Sequence, residues 1–460
     1  MTVYVRRRRY IFAIHGRPLR FSRQRKRPNR ERSATLTVST LHSITLRDVA
    51  HHERLLAAYG ELRRKGGRAP GADGLAFDDL SRAEVAGVLR SIWRRIDDGT
   101  YRPAPARRQR IPKRGGGHRT LNIRTIFDRA VGKALALTLS PLLDPLFFPT
   151  SFGFRPNLSH LEMLAAIETR LVATDSWVLA IDDIRQAFDY VPIATAVSNY
   201  RRLLGDCDLV RLIEAVLRGH SGHQRSRGID QGCPFSPVTL NVVLHDILDR
   251  PLSTDRDLPP LYRYADNLAF ACNGVPEGGR ALQRARETLQ AYGFELKGQD
   301  GPPVDLRQPD THAHLLGFRI SRQNGRAKYE LGDEAYEELR DELEQAHLSD
   351  QPGLTARAVA QGWLWGHAPA LETDAEAGVI RRTLNTAGRA GLRGELSESL
   401  LRDSIGRARE HWEATRSRAM QARPMIPDED SLMIRSAPRA GDPPVSSWEG
   451  TEAGDSDGPF

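Results

Sequence analysis

A chain of 460 residues with 40% hydrophobic and 27% charged side chains has the make-up of a folded globular protein of two to four domains, not of a fibrous or membrane one. No apolar run reaches the ~18–20 residues of a membrane span, and the early "YIFAI" is shorter than the ~7–15 residues of a signal-peptide core. The net charge of +9 is uneven: residues 1–33 carry eleven Arg and one Lys against Glu31, whereas residues 427–460 carry eight acids against Arg435 and Arg439.

The basic stretch, about residues 1–40, suits a polyanion binder, because neutralised phosphates release counterions. It reads equally as a disordered tail or a misassigned start, and less readily as a transit peptide. Residues 46–66 have helical spacing at Val49, Leu55, Leu56 and Leu62, and "GGRAPGADG" at 66–74 is a loop. Residues 79–99 again predict a helix. The acid-free "YRPAPARRQRIPKRGGGHRTLNIR" at 101–124 predicts a basic hairpin turning at Gly115–Gly117. Helices are expected over 126–146 and 157–172, and a buried strand over 177–184, "WVLAIDDI". A helix at 238–250, a strand pair at 261–272 around Ala265–Asp266 and an amphipathic helix at 276–292 follow. From about 333 to 420 the pattern is all helix, with Trp363 and Trp365 in one patch, and the acidic tail at 425–460 predicts disorder. Cys207, Cys233 and Cys272 are scattered without a Cys-x-x-Cys pair, which argues against a disulfide framework and fits a bacterial cytoplasm.

The chemistry is expected at two strand ends. One is "AIDDIRQAFDYV", with Asp182 and Asp183; the other is "LYRYADNLAF", with Asp266 and Asn267. Acids at matching depths on adjacent strands can bind two Mg²⁺ ions about 3.5–4 Å apart and promote in-line displacement at phosphorus. The plainer reading is that these acids cap turns.

Taken in order, the blocks resemble a reverse transcriptase, nearest the group II intron (maturase-type) and bacterial retroelement lineage. "GRAPGADG", "RRQRIPKRGGGHRTLNIRTIFDRAVGKAL", "SFGFRPNLSHLEML", "DIRQAFDYV", "GIDQGCPFSPVTLNVVLHDILD", "YADN" and "HLLGFRI" carry the resemblance between residues 64 and 320. It implies an α+β right-hand polymerase: fingers at 41–175, a palm with an antiparallel sheet at 176–325, and a helical thumb-like region at 326–424. It implies RNA-directed DNA synthesis from dNTPs on an RNA template with a DNA or RNA primer. It implies two Mg²⁺, with Mn²⁺ able to replace them, on Asp183, Asp266 and the Ile184 carbonyl. Asn267 stands at the second catalytic acid. Lys113 and Arg119 would hold the triphosphate, with Gln231 and Gly232 lining the nucleotide pocket. Phe188, five residues after Asp183, would exclude a ribose 2′-hydroxyl. Arg107, Arg108, Arg110, Arg155, Ser236 and Pro237 would meet the nucleic acid, although Arg155 also reads as a fold residue and Phe188 as a core one.

Departures from the pattern are Asn267 for an aspartate, Thr120 for a proline, and "FELKGQDGPPVD" where a Lys-Thr pair is usual, leaving Lys297 as its substitute. No basic DNA-binding or Cys/His nuclease segment is visible after the helical region. A stand-alone bacterial polymerase is therefore expected, for example, by analogy, one working with a dedicated structured RNA in phage defence. An intron maturase and a degenerate RNA-binding scaffold are the alternatives.

Overall fold

The computed structural model describes residues 41–65, 70–112, 118–298, 301–372 and 375–421. The basic arm at 1–40 and the acidic tail at 425–460 lie outside these residues, as does Lys113.

Three helices begin the described chain: α1 (Leu46–Ala50), α2 (His52–Lys65) and α3 (Arg82–Asp97). The single helix expected over 46–66 is thus two, because His51 adopts an extended backbone at φ −54° and ψ 150°. Capping boxes start α1 at Thr45–Asp48 and α3 at Ser81–Glu84, satisfying amide groups that a helix start leaves unpaired. α3 buries Val85, Leu89, Ile92 and Ile96, one face of a 3.6-residue period. The basic hairpin forms as expected, β1 (Arg107–Pro112) running antiparallel to β2 (His118–Ile123). The long apolar helix α4 (Ile126–Leu143) follows and packs on α2.

After α5 (His160–Thr174) the chain enters β3 (Val178–Asp183), every residue of which is buried. α6 (Ala187–Tyr190), α7 (Ile193–Leu204) and α8 (Asp208–Arg218) fill a stretch for which the sequence pattern had suggested no element. α9 (Ser236–Leu244) continues through a π-helical turn at His245–Asp249 into α10 (Arg250–Ser253). β4 (Leu261–Tyr264), β5 (Asn267–Cys272), α11 (Val275–Gln290) and β6 (Val304–Asp305) complete an antiparallel sheet of order β4-β5-β3-β6.

The two-residue period of β3 sorts its side chains. Leu179 and Ile181 join α5 residues such as Leu164 in one core, whereas Ala180 faces Gly278 of α11. Asp182 therefore belongs to the α11 side and Asp183 to the opposite one.

A second sheet, β7 (Ala313–Leu315), β8 (Phe318–Gln323) and β9 (Arg326–Leu331), precedes α12 (Asp333–His347), α13 (Pro352–Gly366), α14 (Glu376–Arg389) and α15 (Glu398–Gln421). β7 and β8 are the "HLLGFRI" block, turned by Leu316 and Gly317, whose φ of 54° and 88° suit a tight hairpin. Phe318, Tyr329, Trp363 and Trp412 share the apolar core of Leu179 and Ile181, so the helical region is built onto the sheet. The β8–β9 pair runs across position 325. Among the described residues no helix is long and apolar enough to cross a membrane.

Candidate active site

Pairing of β3 with β5 puts Asp183 opposite Asn267. Because Tyr264 pairs with Asn267, Ala265 and Asp266 form the two-residue tip of the β4–β5 hairpin. Ala265 takes the left-handed conformation at φ 58°, which a tip of this kind demands and a Cβ resists. The Ile184 amide donates to the Asp266 carbonyl at 2.9 Å, tying the two acidic segments together. Strand register thus brings Asp183, Ile184, Asp266 and Asn267 into one place.

The two adjacent acids on β3 have different jobs. Asp182 accepts from its neighbour's amide, Asp183 N–H, at 2.8 Å, and from the Gly298 amide at 3.0 Å, so it braces backbone. Asp183 is buried; its Oδ2 pairs with Lys297 Nζ, and its Oδ1 has no hydrogen-bond partner among the described residues. A buried carboxylate oxygen without a donor is costly unless a cation or substrate group meets it. Lys297 is held in place by its own amide, which donates to the Asp183 carbonyl at 2.8 Å, next to the Ile184–Leu296 bridge. Asn267 Nδ2 lies 3.3 Å from Asp266 Oδ1 and donates to it, a contact that an aspartate at 267 would turn into repulsion.

The donor set fits a hard divalent cation. No group of three or more His, Cys, Asp or Glu converges among the described residues. Mg²⁺ needs no such cage, since it retains waters and takes substrate phosphates as ligands, so Asp183, Asp266 and a backbone carbonyl are sufficient.

Phe188 is half-buried, edge-on to Phe154 with ring centroids 5.9 Å apart, and its carbonyl accepts from the Ile229 amide at 2.8 Å. It therefore adjoins the loop of Gln231 and Gly232. That loop is fastened to the basic hairpin, since the Asn122 amide donates to the Gln231 carbonyl at 3.3 Å. Gly232 has φ 114°, open to glycine and strained for other residues. Arg119 lies on β2 opposite Ile111, but its side chain, like Lys113 as a whole, is outside the description. Arg107, Arg108 and Arg110 are all exposed on β1. Ser236 is buried and Pro237 half-buried at the start of α9, behind the loop. Arg155 is different: its guanidinium donates to Asp144 Oδ1 and to the Asp144, Phe148 and Ser151 carbonyls at 2.7–3.1 Å. Those bonds commit it to the fold, and the structure does not bring it to the site as a nucleic-acid contact.

Sequence reading missed a set of buried ionic residues behind the site. Under the Gln231 loop, Asp230 accepts from Arg124 Nε at 2.7 Å and Asn122 Nδ2 at 3.0 Å, and pairs with Arg225 at 2.7 Å. Burial alone would raise the Asp230 pKa, but the two guanidinium groups override it and hold the carboxyl below its usual range. Under the 265–266 tip, Arg263 pairs with Asp249 at 2.6 Å, both buried. The available signal was a lone arginine within the apolar "LYRYA", because a charge on a buried strand must have a partner.

Residues 111–299 match the family model described as reverse transcriptase (RNA-dependent DNA polymerase). The matched segment runs from the basic hairpin through most of the antiparallel sheet, within an α+β arrangement of hairpin, sheet and helical region. Protein YkfC of Escherichia coli (strain K12) is 30% identical over 199 residues, 41% of this chain and 52% of its own. The group II intron-encoded protein LtrA of Lactococcus lactis subsp. cremoris is 28% identical over 205 residues, 42% of this chain and 34% of its own. The chain thus spans about half of the first relative and about a third of the second. The likeness is to a reverse transcriptase model and to a group II intron-encoded protein, in each case over less than half of this chain.

Proposed function

We propose that the protein is an RNA-directed DNA polymerase that extends a primer with dNTPs on an RNA template. The observation that carries this reading is the β3–β5 register, which sets Asp183 beside the Asp266 tip, with a buried Asp183 oxygen that no donor among the described residues meets. Mg²⁺, or Mn²⁺ in its place, held by Asp183, Asp266 and the Ile184 carbonyl would supply Lewis-acid activation of the primer 3′-hydroxyl and charge neutralisation at the pyrophosphate. The new bond joins the primer 3′-oxygen to the α-phosphorus, and the bond from that phosphorus to pyrophosphate breaks.

The chain's own residues position the reactants. Gln231 and Gly232 line the nucleotide pocket, and Phe188 excludes a 2′-hydroxyl. Lys113 and Arg119 take the triphosphate, a role suited to paired cations. Arg107, Arg108 and Arg110 give exposed positive charge to the template. Lys297, whose Nζ pairs with Asp183, is the donor toward the leaving pyrophosphate. We assign residues 41–175 to fingers, 176–325 to the palm and 326–424 to a thumb-like region.

A second reading, a degenerate RNA-binding scaffold without synthesis, is favoured by Asn267, whose amide engages Asp266, and by Thr120 and the missing Lys-Thr pair. Primer extension on RNA with dNTPs separates the two. Synthesis is expected in wild type and lost, by about 10³-fold or more, in Asp183→Ala and Asp266→Ala. In the same assay Phe188→Ala should admit ribonucleotides. An inactive wild type at all Mg²⁺ and Mn²⁺ concentrations, restored by Asn267→Asp, would establish the scaffold reading.

A further inference from the structure

The hairpin tip that carries Asp266 is held by a closed polar network. We infer that Arg263, locked by Asp249, is a positioning residue that sets the Asp266 tip for cation binding; this rests on the metal-dependent reading above.

Arg263 is a strand residue whose side chain runs beneath its own hairpin. A guanidinium has five N–H donors, and here each has an acceptor. Nε donates to Asp249 Oδ1 at 2.7 Å and Nη2 to Asp249 Oδ2 at 2.6 Å, a bidentate pair. Nη2 also reaches Ser151 Oγ at 2.8 Å. Nη1 reaches Asn241 Oδ1 at 3.0 Å and the Ala265 carbonyl at 3.1 Å. The last bond matters most, since Ala265 is the left-handed residue immediately before Asp266. A strained backbone persists where its surroundings over-determine it.

The other components bear on the same tip. The Arg263 amide donates to the Thr150 carbonyl at 2.9 Å, and the Phe152 amide to the Arg263 carbonyl at 2.8 Å. This seats Gly153 so close to the tip that a Cβ there would overlap the Ala265 nitrogen. Asn241 Nδ2 fastens the Gly153 carbonyl at 2.6 Å. Asp249 is the last residue of the π-helical turn. One extra residue in a helical turn rotates everything after it by about 100° about the axis. The π-turn thus sets the direction in which Asp249 meets β4.

The test uses full-length protein and Mn²⁺ alone as the probe, followed by electron paramagnetic resonance, with primer extension alongside. Asp249→Asn keeps the side-chain shape and removes the charge that orients Arg263. Gly153→Ala displaces the tip and leaves the ion pair untouched. Both should weaken Mn²⁺ binding about tenfold and raise by a similar factor the Mg²⁺ needed for half-maximal extension, as loss of a ligand-orienting partner does. KM for dNTP at saturating Mg²⁺ should stay unchanged. Leu343→Ala, in the buried face of α12, is the destabilised control and should bind Mn²⁺ as wild type does. Wild-type Mn²⁺ affinity in both variants, or an equal loss in Leu343→Ala, overturns the inference. If Asp249→Asn does not fold, Arg263→Lys, which keeps the charge and loses the bidentate pair with Asp249, decides. A wild type that binds Mn²⁺ but extends no primer defeats the polymerase reading, and the Mn²⁺ affinities still judge the role of Arg263. A wild type that binds no Mn²⁺ defeats the inference itself.

Discussion

Two buried arginines stand behind the site, and they are satisfied to different degrees. Arg263, under the Asp266 tip, finds an acceptor for every N–H and shares its one aspartate with no other arginine's hydrogen bond. Arg124, under the Gln231 loop, meets Asp230 through Nε and, at 2.6 Å, through Nη2, which also donates to the Val216 carbonyl, while its buried Nη1 has no partner among the described residues. Asp230 also serves Arg225, whose side chain is 21% exposed, so this cluster has a route to water. A closed network resists displacement; an open one with two cations on one anion can rearrange. The closed one lies where carboxylate geometry has to be held, and the open one where the nucleotide loop meets the basic hairpin.

The largest test of this contrast is stability. Asp249→Ala strands a fully buried guanidinium and should cost about 3–5 kcal/mol in urea unfolding. Asp230→Ala should cost less, about 2–3 kcal/mol, because Arg225 can turn to solvent. Equal losses would erase the distinction between the two clusters.

A smaller effect is expected in acid. Burial opposes ionisation of Asp249, yet Arg263 prevails and depresses its pKa, and Asp230 is depressed likewise. A folded pKa below the unfolded value of about 3.9 means that the stabilisation is complete above that pH and is lost as pH falls through the folded value. Melting temperature should therefore be insensitive to both groups at neutral pH and fall below about pH 4. Asp249→Asn and Asp230→Asn should each flatten that fall. A loss that begins near pH 6 would point to other groups.

The smallest effect concerns the tip itself. Asn267 restrains Asp266 by donating a hydrogen bond, whereas an aspartate would add charge. Asn267→Asp should lower the Mg²⁺ needed for half-maximal extension by roughly two- to fivefold. A raised requirement would mean that the amide bond to Asp266 outweighs the missing charge.

Much of this was readable along the chain. The all-apolar run into Asp182–Asp183 marked β3, and the aromatic run around Ala265–Asp266 marked the hairpin, because both are short and local. The helical spacing over 46–66 and 79–99 marked the first three helices, and the capping boxes at Thr45 and Ser81 fix where two of them start. His51 escaped, since its extended backbone interrupts an unbroken helical spacing. Arg155 was open to either role until its partners were seen. Asp182 and Asp183 are chemically identical neighbours, and their separate duties follow from which sheet face each occupies.

Amino-acid order alone therefore specified many of the elements, though not α6–α8, and the acids at the ends of β3 and β4, because hydrophobic period and turn chemistry act over a few residues. The pairing of Asp183 with the Asp266 tip, the seat of Lys297 and the partnership of Arg263 with Asp249 came from folding in three dimensions. Each joins segments distant in the chain, where burial makes an unpaired charge too costly to leave alone and geometry selects which partner answers it.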